Sequence, residues 1–193
     1  MFSIGYATKS FDTYVKQLSE RGVNVVADIR SVPYSRAFHD YNRETFERKL
    51  RAQGIRYVYL GAELGPRSKN PADYNDDGQV QFDRLMGSLA FKAGIGRLFD
   101  GLEKGFTIAL SCAEKDPAIC HRSLLVGWAL KHHYNRELQH ILHDGQLESQ
   151  SSLEHRLLAV TETQADMLLS DIEALQLAYQ RQCQTCAYRL PQQ

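Results

Sequence analysis

The stretch that decides the fold runs from Phe106 to His133 and reads FTIALSCAEKDPAICHRSLLVGWALKHH. It opens on the apolar run Phe106-Thr107-Ile108-Ala109-Leu110, which has the character of a buried strand. Cys112 and Glu114 follow, then a loop broken by Pro117, then the triplet Cys120-His121-Arg122. From there the period changes, and Leu124, Leu125, Trp128 and Ala129 recur at three- and four-residue spacing on one helical face. A strand that ends in polar, reactive side chains and feeds a helix is the usual place for chemistry in an α/β protein.

Upstream of this stretch, Phe2 to Tyr6 reads as a first strand. Ser10 caps a helix from Phe11 to Arg21, whose Phe11, Tyr14, Val15 and Leu18 share a face, and Gly22 stops it. Val23 to Ile29 is β-branched and nearly continuous, as in a strand covered on both faces. A polar loop, Asp28-Ile29-Arg30-Ser31-Val32-Pro33-Tyr34-Ser35-Arg36, follows, and then a helix from about Asn42 to Gln53 and a strand from Ile55 to Leu60. Gly61 to Val80 is a long loop, read either as a lid or as a surface excursion. Phe82 to Glu103 is helical with glycine interruptions.

Downstream, Glu137 to Leu142 reads as a short strand closed by Asp144-Gly145. The polar run Glu148-Ser149-Gln150-Ser151-Ser152 is expected to be a linker. Beyond it lies a helical tail, with Met167, Leu168, Ile172, Leu175, Leu177 and Tyr179 in a loose stripe and Cys183-Gln184-Thr185-Cys186 at its end. This order predicts an α/β fold: a mostly parallel, Rossmann-like sheet with helices on both faces over residues 1–147. A linker and a C-terminal helical extension would occupy residues 148–193.

A chain of 193 residues, 43% apolar and 24% charged, is enough for one domain with a full core. Its formal net charge of zero rules out a general polyanion binder, so affinity for nucleic acid would need a local patch. No apolar stretch approaches the length of a membrane helix, and no membrane partner is expected. The N-terminus enters strand-like sequence without a basic leader, which points to the cytoplasm. Four cysteines in such a protein read as reactive, buried or metal-bound rather than as a disulfide framework.

Right-handed crossovers place the C-terminal ends of parallel strands on one edge. Tyr6, the Asp28–Arg36 loop, Gly61 to Gly65, and the Cys112–Arg122 turn should therefore converge there. At these residues the sequence becomes familiar. Ile4-Gly5-Tyr6, Asp28 to Arg36, Tyr57-Val58-Tyr59-Leu60-Gly61-Ala62-Glu63-Leu64-Gly65, Cys112-Ala113-Glu114 and Cys120-His121-Arg122, taken in order, resemble the domain of unknown function 488 family. His140-Ile141 with Asp144-Gly145 is similar to that family's closing strand, so the resemblance spans roughly residues 1–145. It implies an α/β fold with a pocket at these motifs, and no particular reaction.

The residue types themselves suggest the chemistry. Cys120 sits at a helix start, where free backbone N–H groups stabilise a thiolate, and His121 and Arg122 add positive charge. Cys112, Cys120 and His121, with Glu114 as proton carrier, form the catalytic candidate set; the alternative is that both cysteines are packing residues. A Cys112–Cys120 redox pair is a further reading that spacing alone leaves open. Position 118, six residues after Cys112, is Ala where a phosphatase loop has arginine, which argues against a cysteine phosphatase or an ordinary rhodanese.

Arg30, Arg36 and Arg122, with Tyr6, Ser35 and an Arg-positioning Asp28, suit an anion-binding pocket for a phosphate-bearing small molecule or nucleotide. Tyr6, Tyr34, Tyr57 and Tyr59 are candidates to stack on a base or to pack the core. Arg43, Arg48, Lys49, Arg51 and Arg56 form a basic face that would serve nucleic acid or simply be solvated. Cys183 and Cys186 are half of a metal site with no second pair to complete it, and adjacent Cys120 and His121 are expected to chelate one ion poorly. No cofactor is identified and a metal ion is the less favoured reading. The sequence thus favours a small enzyme with Cys/Glu chemistry on a phosphate-bearing or nucleotide-like ligand, over a non-catalytic nucleotide- or nucleic-acid-binding module.

Overall fold

Val25–Asp28 is buried at every position, as a strand must be when it has neighbours on both edges and helices over both faces. The computed structural model describes residues 1–165 and 169–191. β1 is Phe2–Gly5, α1 Phe11–Ser19, β2 Val25–Asp28, α2 Arg43–Ala52 and β3 Arg56–Tyr59. α3 (Gly61–Leu64), α4 (Phe82–Gly87) and α5 (Leu89–Glu103) lead to β4, Ile108–Cys112. A π-helical segment, Arg122–Gly127, runs into α6, Trp128–Tyr134. β5 (Gln139–Ile141), β6 (Leu147–Ser149), α7 (Gln150–Val160) and α8 (Asp171–Cys186) follow.

The six strands form one sheet in the order β3-β2-β4-β1-β5-β6. All neighbours are parallel except β5 and β6. The mostly parallel α/β sheet expected from the sequence is therefore present. β1 leads through α1 to β2 on one side of the sheet, whereas β4 leads through α6 to β5 on the other. The strand order thus reverses between the neighbours β1 and β4. In open α/β sheets the crevice at such a reversal, outside the carboxyl ends, is where ligands bind.

Alternation along the strands feeds two apolar layers. Val26 and Ala109 face one side, against Tyr14 and Leu18 of α1 and Phe46 and Leu50 of α2. Val25, Ala27, Leu110 and Cys112 face the other, against residues of α5, α6, α7 and α8 such as Leu98, Leu130, Leu157 and Ala178. Burying this surface contributes roughly 25 cal/mol per Å2 of apolar area removed from water. Among the described residues no helix is long and apolar enough to cross a membrane.

Three expectations are corrected. Glu148 to Ser152 is not a linker: it supplies edge strand β6 and the start of α7, capped by Ser149. Its polarity has specific uses, since Glu148 accepts from Arg156 Nε at 2.7 Å and Gln150 is buried in a hydrogen-bond network. Of the apolar stripe only Tyr179 is a main packing residue of α8 among the described residues, and the fully buried positions are small or polar. Met167 and Leu168 lie outside the described residues, Ile172 is exposed, and the buried positions are Ala174, Ala178 and Gln182. Small side chains let two helices approach closely. α8 is held by Gln182 donating to the Ala118 carbonyl (2.7 Å), by Tyr179 donating to Leu124 O (2.8 Å) and by Tyr179 stacking on Trp128 at 3.6 Å. The long loop after β3 is partly ordered by α3 and by a bridge between Tyr74 and Val80.

A buried polar chain ties β1 to α7. Ser3 Oγ donates to His140 Nδ1 (2.6 Å), and His140 Nε2 donates to Gln150 Oε1 (2.9 Å). Gln150 Nε2 then donates to Glu154 Oε1 (3.0 Å), and Lys131 closes the chain on Glu154 Oε2 (2.6 Å). The amide's two ends fix the tautomer, because its nitrogen is committed to the carboxylate. Burial lowers the His140 pKa from 6.5 to about 3, and the Arg122 charge pushes the same way. The folded state therefore disfavours protonation that the unfolded chain accepts. This stabilisation is complete above the unfolded pKa and is lost as the pH falls toward the folded one. Between about pH 6.5 and 5, before most carboxylates titrate, urea unfolding should show stability falling with acidification by up to about 1.4 kcal/mol per unit. His140→Gln should flatten that slope; an unchanged slope would show that His140 is not its source.

Candidate functional site at the carboxyl ends of β1, β2 and β4

The rim is knitted by backbone before any side chain is considered. Tyr6 N–H donates to Cys112 O (3.1 Å) and Ala7 N–H to Ala113 O (2.8 Å), carrying the β1–β4 register past the strand ends. Ile29 N–H donates to Ser111 O (3.2 Å), doing the same for β2 and β4. The Cys112–Arg122 turn then folds back over the sheet. Asp116 accepts from Ala118 N (2.9 Å) and opens a short 3-10 turn, Pro117–Ile119. Ser123 Oγ donates to the carbonyls of Pro117 and Cys120.

Arg122 is the anchor. Its side chain is wholly buried, with NH1 donating to Glu114 O (2.6 Å) and NH2 to Lys115 O (3.2 Å). No carboxylate pairs with it among the described residues, and its Nε has no hydrogen-bond partner. Gly5 makes room for this arrangement. A Cβ at that position would overlap the Glu114 carbonyl oxygen and stand 2.9 Å from Arg122 NH1.

Four reactive side chains meet beneath this anchor. Cys112 Sγ donates to Glu114 Oε2 at 2.8 Å, and Cys120 Sγ reaches the same oxygen at 3.0 Å. His121 Nδ1 is 3.5 Å from Cys112 Sγ and 4.0 Å from Cys120 Sγ. The ring's other nitrogen, Nε2, donates to the Ile29 carbonyl at 2.9 Å. Cys120 Sγ also accepts from Arg122 N–H at 3.4 Å. Both cysteines and His121 are buried; Glu114 is half-buried. One donor atom from each of Cys112, Glu114, Cys120 and His121 lies within 4.8 Å of the other three.

The electrostatics follow from this crowding. Burial pushes the Cys112 thiol well above its ordinary range, and the Cys120 sulfur adds to the effect. Burial acts upward on Cys120 too, but the hydrogen bond from Cys112 and the Arg122 and His121 charges outweigh it and hold that thiol well below. Glu114 is raised by burial and by Cys120. Burial works against the His121 cation, yet Cys120 and Glu114 raise its pKa. The two thiols thus have opposite preferences in one cluster.

Two of the arginines expected to hold an anion are spent inside the protein. Arg30 donates from Nε and NH2 to the two oxygens of Asp28 (2.8 and 2.6 Å), from NH2 to Tyr41 O (2.8 Å) and from NH1 to the Tyr6 hydroxyl (3.0 Å). The reason is Asp28, a fully buried carboxylate that requires a cation beside it. Arg122 is taken by loop carbonyls, as described. Arg36 alone is exposed, and its side chain makes no hydrogen bond or ion pair among the described residues. Tyr6, expected to face a ligand, is buried and stacks on Tyr41 at 4.2 Å. Ser35 builds its own turn, accepting from Ala37 N and Phe38 N (both 3.2 Å).

The basic face is neutralised only in part: two of its five cations have carboxylate partners, and Arg48 is exposed with none among the described residues. Lys49 pairs with Asp40 (2.9 Å) and Arg51 with Glu47 (2.7 Å), while Arg43 lies over Tyr59 and Arg56 over Phe106. Tyr57 and Tyr59 donate to Asp28 Oδ2 (2.8 Å) and Ser31 O (3.0 Å), so neither hydroxyl is free for a ligand. Cys183 and Cys186, on α8, gain no third metal-type ligand among the described residues. Cys183 instead lines a 560 Å3 groove with Phe82, Met86, Trp128 and Tyr179, and burial raises its thiol to about 12.

The family profile described as domain of unknown function DUF488 matches residues 10–129. The chain belongs to this family. The match holds Asp28, Arg30 and the whole Cys112–Arg122 turn, and leaves Gly5, Tyr6 and α8 outside. No curated protein and no solved structure matches the chain.

Two participants escape sequence reasoning. The Ile29 carbonyl orients His121, and a backbone acceptor leaves no residue-type signal. Lys115 is exposed beside Glu114, and its side chain makes no hydrogen bond or ion pair among the described residues. Close packing at Gly5 is directly testable. Gly5→Ala should cost about 1–3 kcal/mol in chemical denaturation through overpacking. Gly96→Ala in α5, where a Cβ meets nothing within 4 Å, should be neutral or stabilise by up to about 1 kcal/mol. Equal effects at the two sites would remove the packing argument.

Proposed function

We propose that this DUF488 protein is a small enzyme acting on a phosphate-bearing or nucleotide-like ligand, with Glu114 moving protons at the Cys112 and Cys120 sulfurs. The observation that carries this reading is one carboxylate oxygen shared by two thiols, at 2.8 and 3.0 Å. Structural cysteines pack as small hydrophobes and have no need of a carboxylate, which costs desolvation energy in such a place. A carboxyl group within hydrogen-bond reach of a sulfur is the arrangement that general acid–base catalysis at a thiol requires. Its position at the reversal of strand order supports a ligand site.

The ligand class follows from the charges left available. Arg36 on the loop after β2 and Lys115 next to Glu114 are exposed cations. Arg122, which has no carboxylate partner among the described residues, acts from behind through its positive potential, whereas the Arg30 charge is cancelled by Asp28. The low net commitment of these outer cations suits an anion that arrives from solvent.

A thermal-shift screen of nucleotides and phosphorylated metabolites should find a ligand that raises the melting temperature, with a smaller shift in Arg36→Ala and Lys115→Ala. Conversion of that ligand should fall at least about a hundredfold in Glu114→Gln and in Cys120→Ser. A ligand that binds without any Glu114-dependent conversion would instead make the protein a non-catalytic nucleotide- or nucleic-acid-binding module.

A further inference from the structure

The four side chains at the rim have a second property that proton transfer does not explain. Cys112, Glu114, Cys120 and His121 each place one donor atom within 4.8 Å of the other three. A tetrahedral ion with ligands about 2.0–2.3 Å away needs donors about 3.3–3.8 Å apart. Of the distances from His121 Nδ1 to the two sulfurs, 3.5 Å to Cys112 meets that requirement and 4.0 Å to Cys120 exceeds it by a few tenths of an ångström. The two sulfur–carboxylate distances, 2.8 and 3.0 Å, are shorter because protons are now shared between the sulfurs and the carboxyl group.

Adjacent residues such as Cys120 and His121 chelate one ion only if the backbone turns between them. It does: Cys120 is extended (φ −125°, ψ 140°) and His121 is helical (φ −61°, ψ −17°). That break puts both side chains on the inner side of the turn. The imidazole is also prepared. Its Nε2–H is held by the Ile29 carbonyl at 2.9 Å, which leaves Nδ1 as the nitrogen able to bind an ion. Cys112 Sγ now stands over the ring, 3.5 Å from Nδ1 and 4.0 Å from Nε2, so the ring must turn about the Ile29 bond to bring its lone pair onto the ion. Metal-bound histidines are oriented by this kind of outer hydrogen bond.

Charge gives an independent argument. Arg122 is fully buried with no carboxylate partner among the described residues, and its Nε is unpartnered. Such a cation is costly unless a negative group lies close by. Two thiolates and a carboxylate around one divalent ion leave a single negative charge, since metal ligands must be deprotonated. That charge would sit beside the Arg122 guanidinium, whose NH1 already holds the backbone of Glu114 at 2.6 Å.

We propose that Cys112, Cys120 and His121 bind one Zn2+ per chain, with Glu114 as a fourth, displaceable ligand. Two sulfurs and an imidazole select a borderline-soft ion over Mg2+ or Ca2+. Glu114 is the half-buried member of the set, so its place is the one that water or a ligand would take, as in catalytic rather than closed structural sites. Each thiol gives up its proton to solvent as its sulfur binds the ion, and no oxidant is needed. With the ion bound, both sulfurs are deprotonated ligands, so proton transfer at sulfur belongs to the metal-free protein. In the metal-bound protein Glu114, once displaced from the ion, would move protons at the water or ligand that replaces it. The inference uses the residues of the site described above but does not depend on any turnover.

Cobalt provides the test, because it reports coordination without a substrate. Co2+ added to reduced, metal-stripped full-length protein under anaerobic conditions should saturate at one equivalent. It should give a thiolate-to-cobalt charge-transfer band and the intense visible bands of tetrahedral cobalt. Zn2+ should displace it, and should raise the melting temperature of the wild type. Cys112→Ser and Cys120→Ser should each weaken binding at least about a hundredfold, and Glu114→Gln about tenfold. Circular dichroism of each apo variant separates lost binding from lost folding, and His121→Asn supplies a third ligand variant if a cysteine variant fails to fold. A Cys183→Ser/Cys186→Ser double variant should keep the full spectrum. Absence of the charge-transfer band in wild type overturns the proposal, as does a band that survives Cys120→Ser but vanishes in the double variant. Either result leaves the assignment of Glu114 to proton transfer standing, because that is read from turnover.

Discussion

Arg122 is buried without a carboxylate, and its guanidinium instead binds the carbonyls of Glu114 and Lys115. This one side chain closes the turn that began at Cys112 back onto the helix that begins after Cys120. Without it those carbonyls would lose their donors and the turn its tie to the helix. The turn would then open, and the two cysteines, eight residues apart in sequence, would have no reason to share one carboxylate oxygen. Gly5 is the complement of this interaction, since only a residue without a side chain lets β1 pass so close to the Glu114 carbonyl.

The second constraint is the clamp between Asp28 and Arg30. A fully buried carboxylate at the end of β2 is balanced by a guanidinium two residues later, and both are further satisfied by Tyr57, Tyr6 and the Tyr41 carbonyl. The clamp fixes the backbone at Ile29, whose carbonyl in turn holds His121. Orientation therefore passes from a charge pair on one strand end to an imidazole on the neighbouring turn. Arg30 and Arg122 shape the site from behind it. Arg36, on the loop after β2, and Lys115, next to Glu114, are exposed.

The C-terminal helix belongs to the same core as the family region. Its Ala174–Ala178 face packs closely, and Gln182 caps the Ala118 carbonyl in the turn that carries the site. The π-helical segment Arg122–Gly127 lies directly beneath, with Tyr179 donating to Leu124 O. Such segments are common where a helix must present side chains off the regular period.

The sequence by itself determined the alternation of strands and helices, because runs such as Val25–Asp28 and Ile108–Cys112 are apolar enough to be buried wherever they lie. It also determined the rim. Parallel strands with right-handed crossovers bring their carboxyl ends together, so Tyr6, Arg30, Cys112 and Cys120 had to meet at one edge. What it left open is which side chains are free there. Arg30, Arg36 and Arg122 are identical residues in the sequence, and only the packed structure shows that two are committed to internal acceptors and one is exposed. The polar run at Glu148 to Ser152 looked like a linker because an edge strand, a helix cap and a buried Gln150 all use polar residues. Likewise, the backbone break between Cys120 and His121 sets where their side chains point. Local bonds to Pro117 and Arg122 shape that break, but the bond from His121 to the Ile29 carbonyl joins residues 92 apart, and no local pattern encodes it.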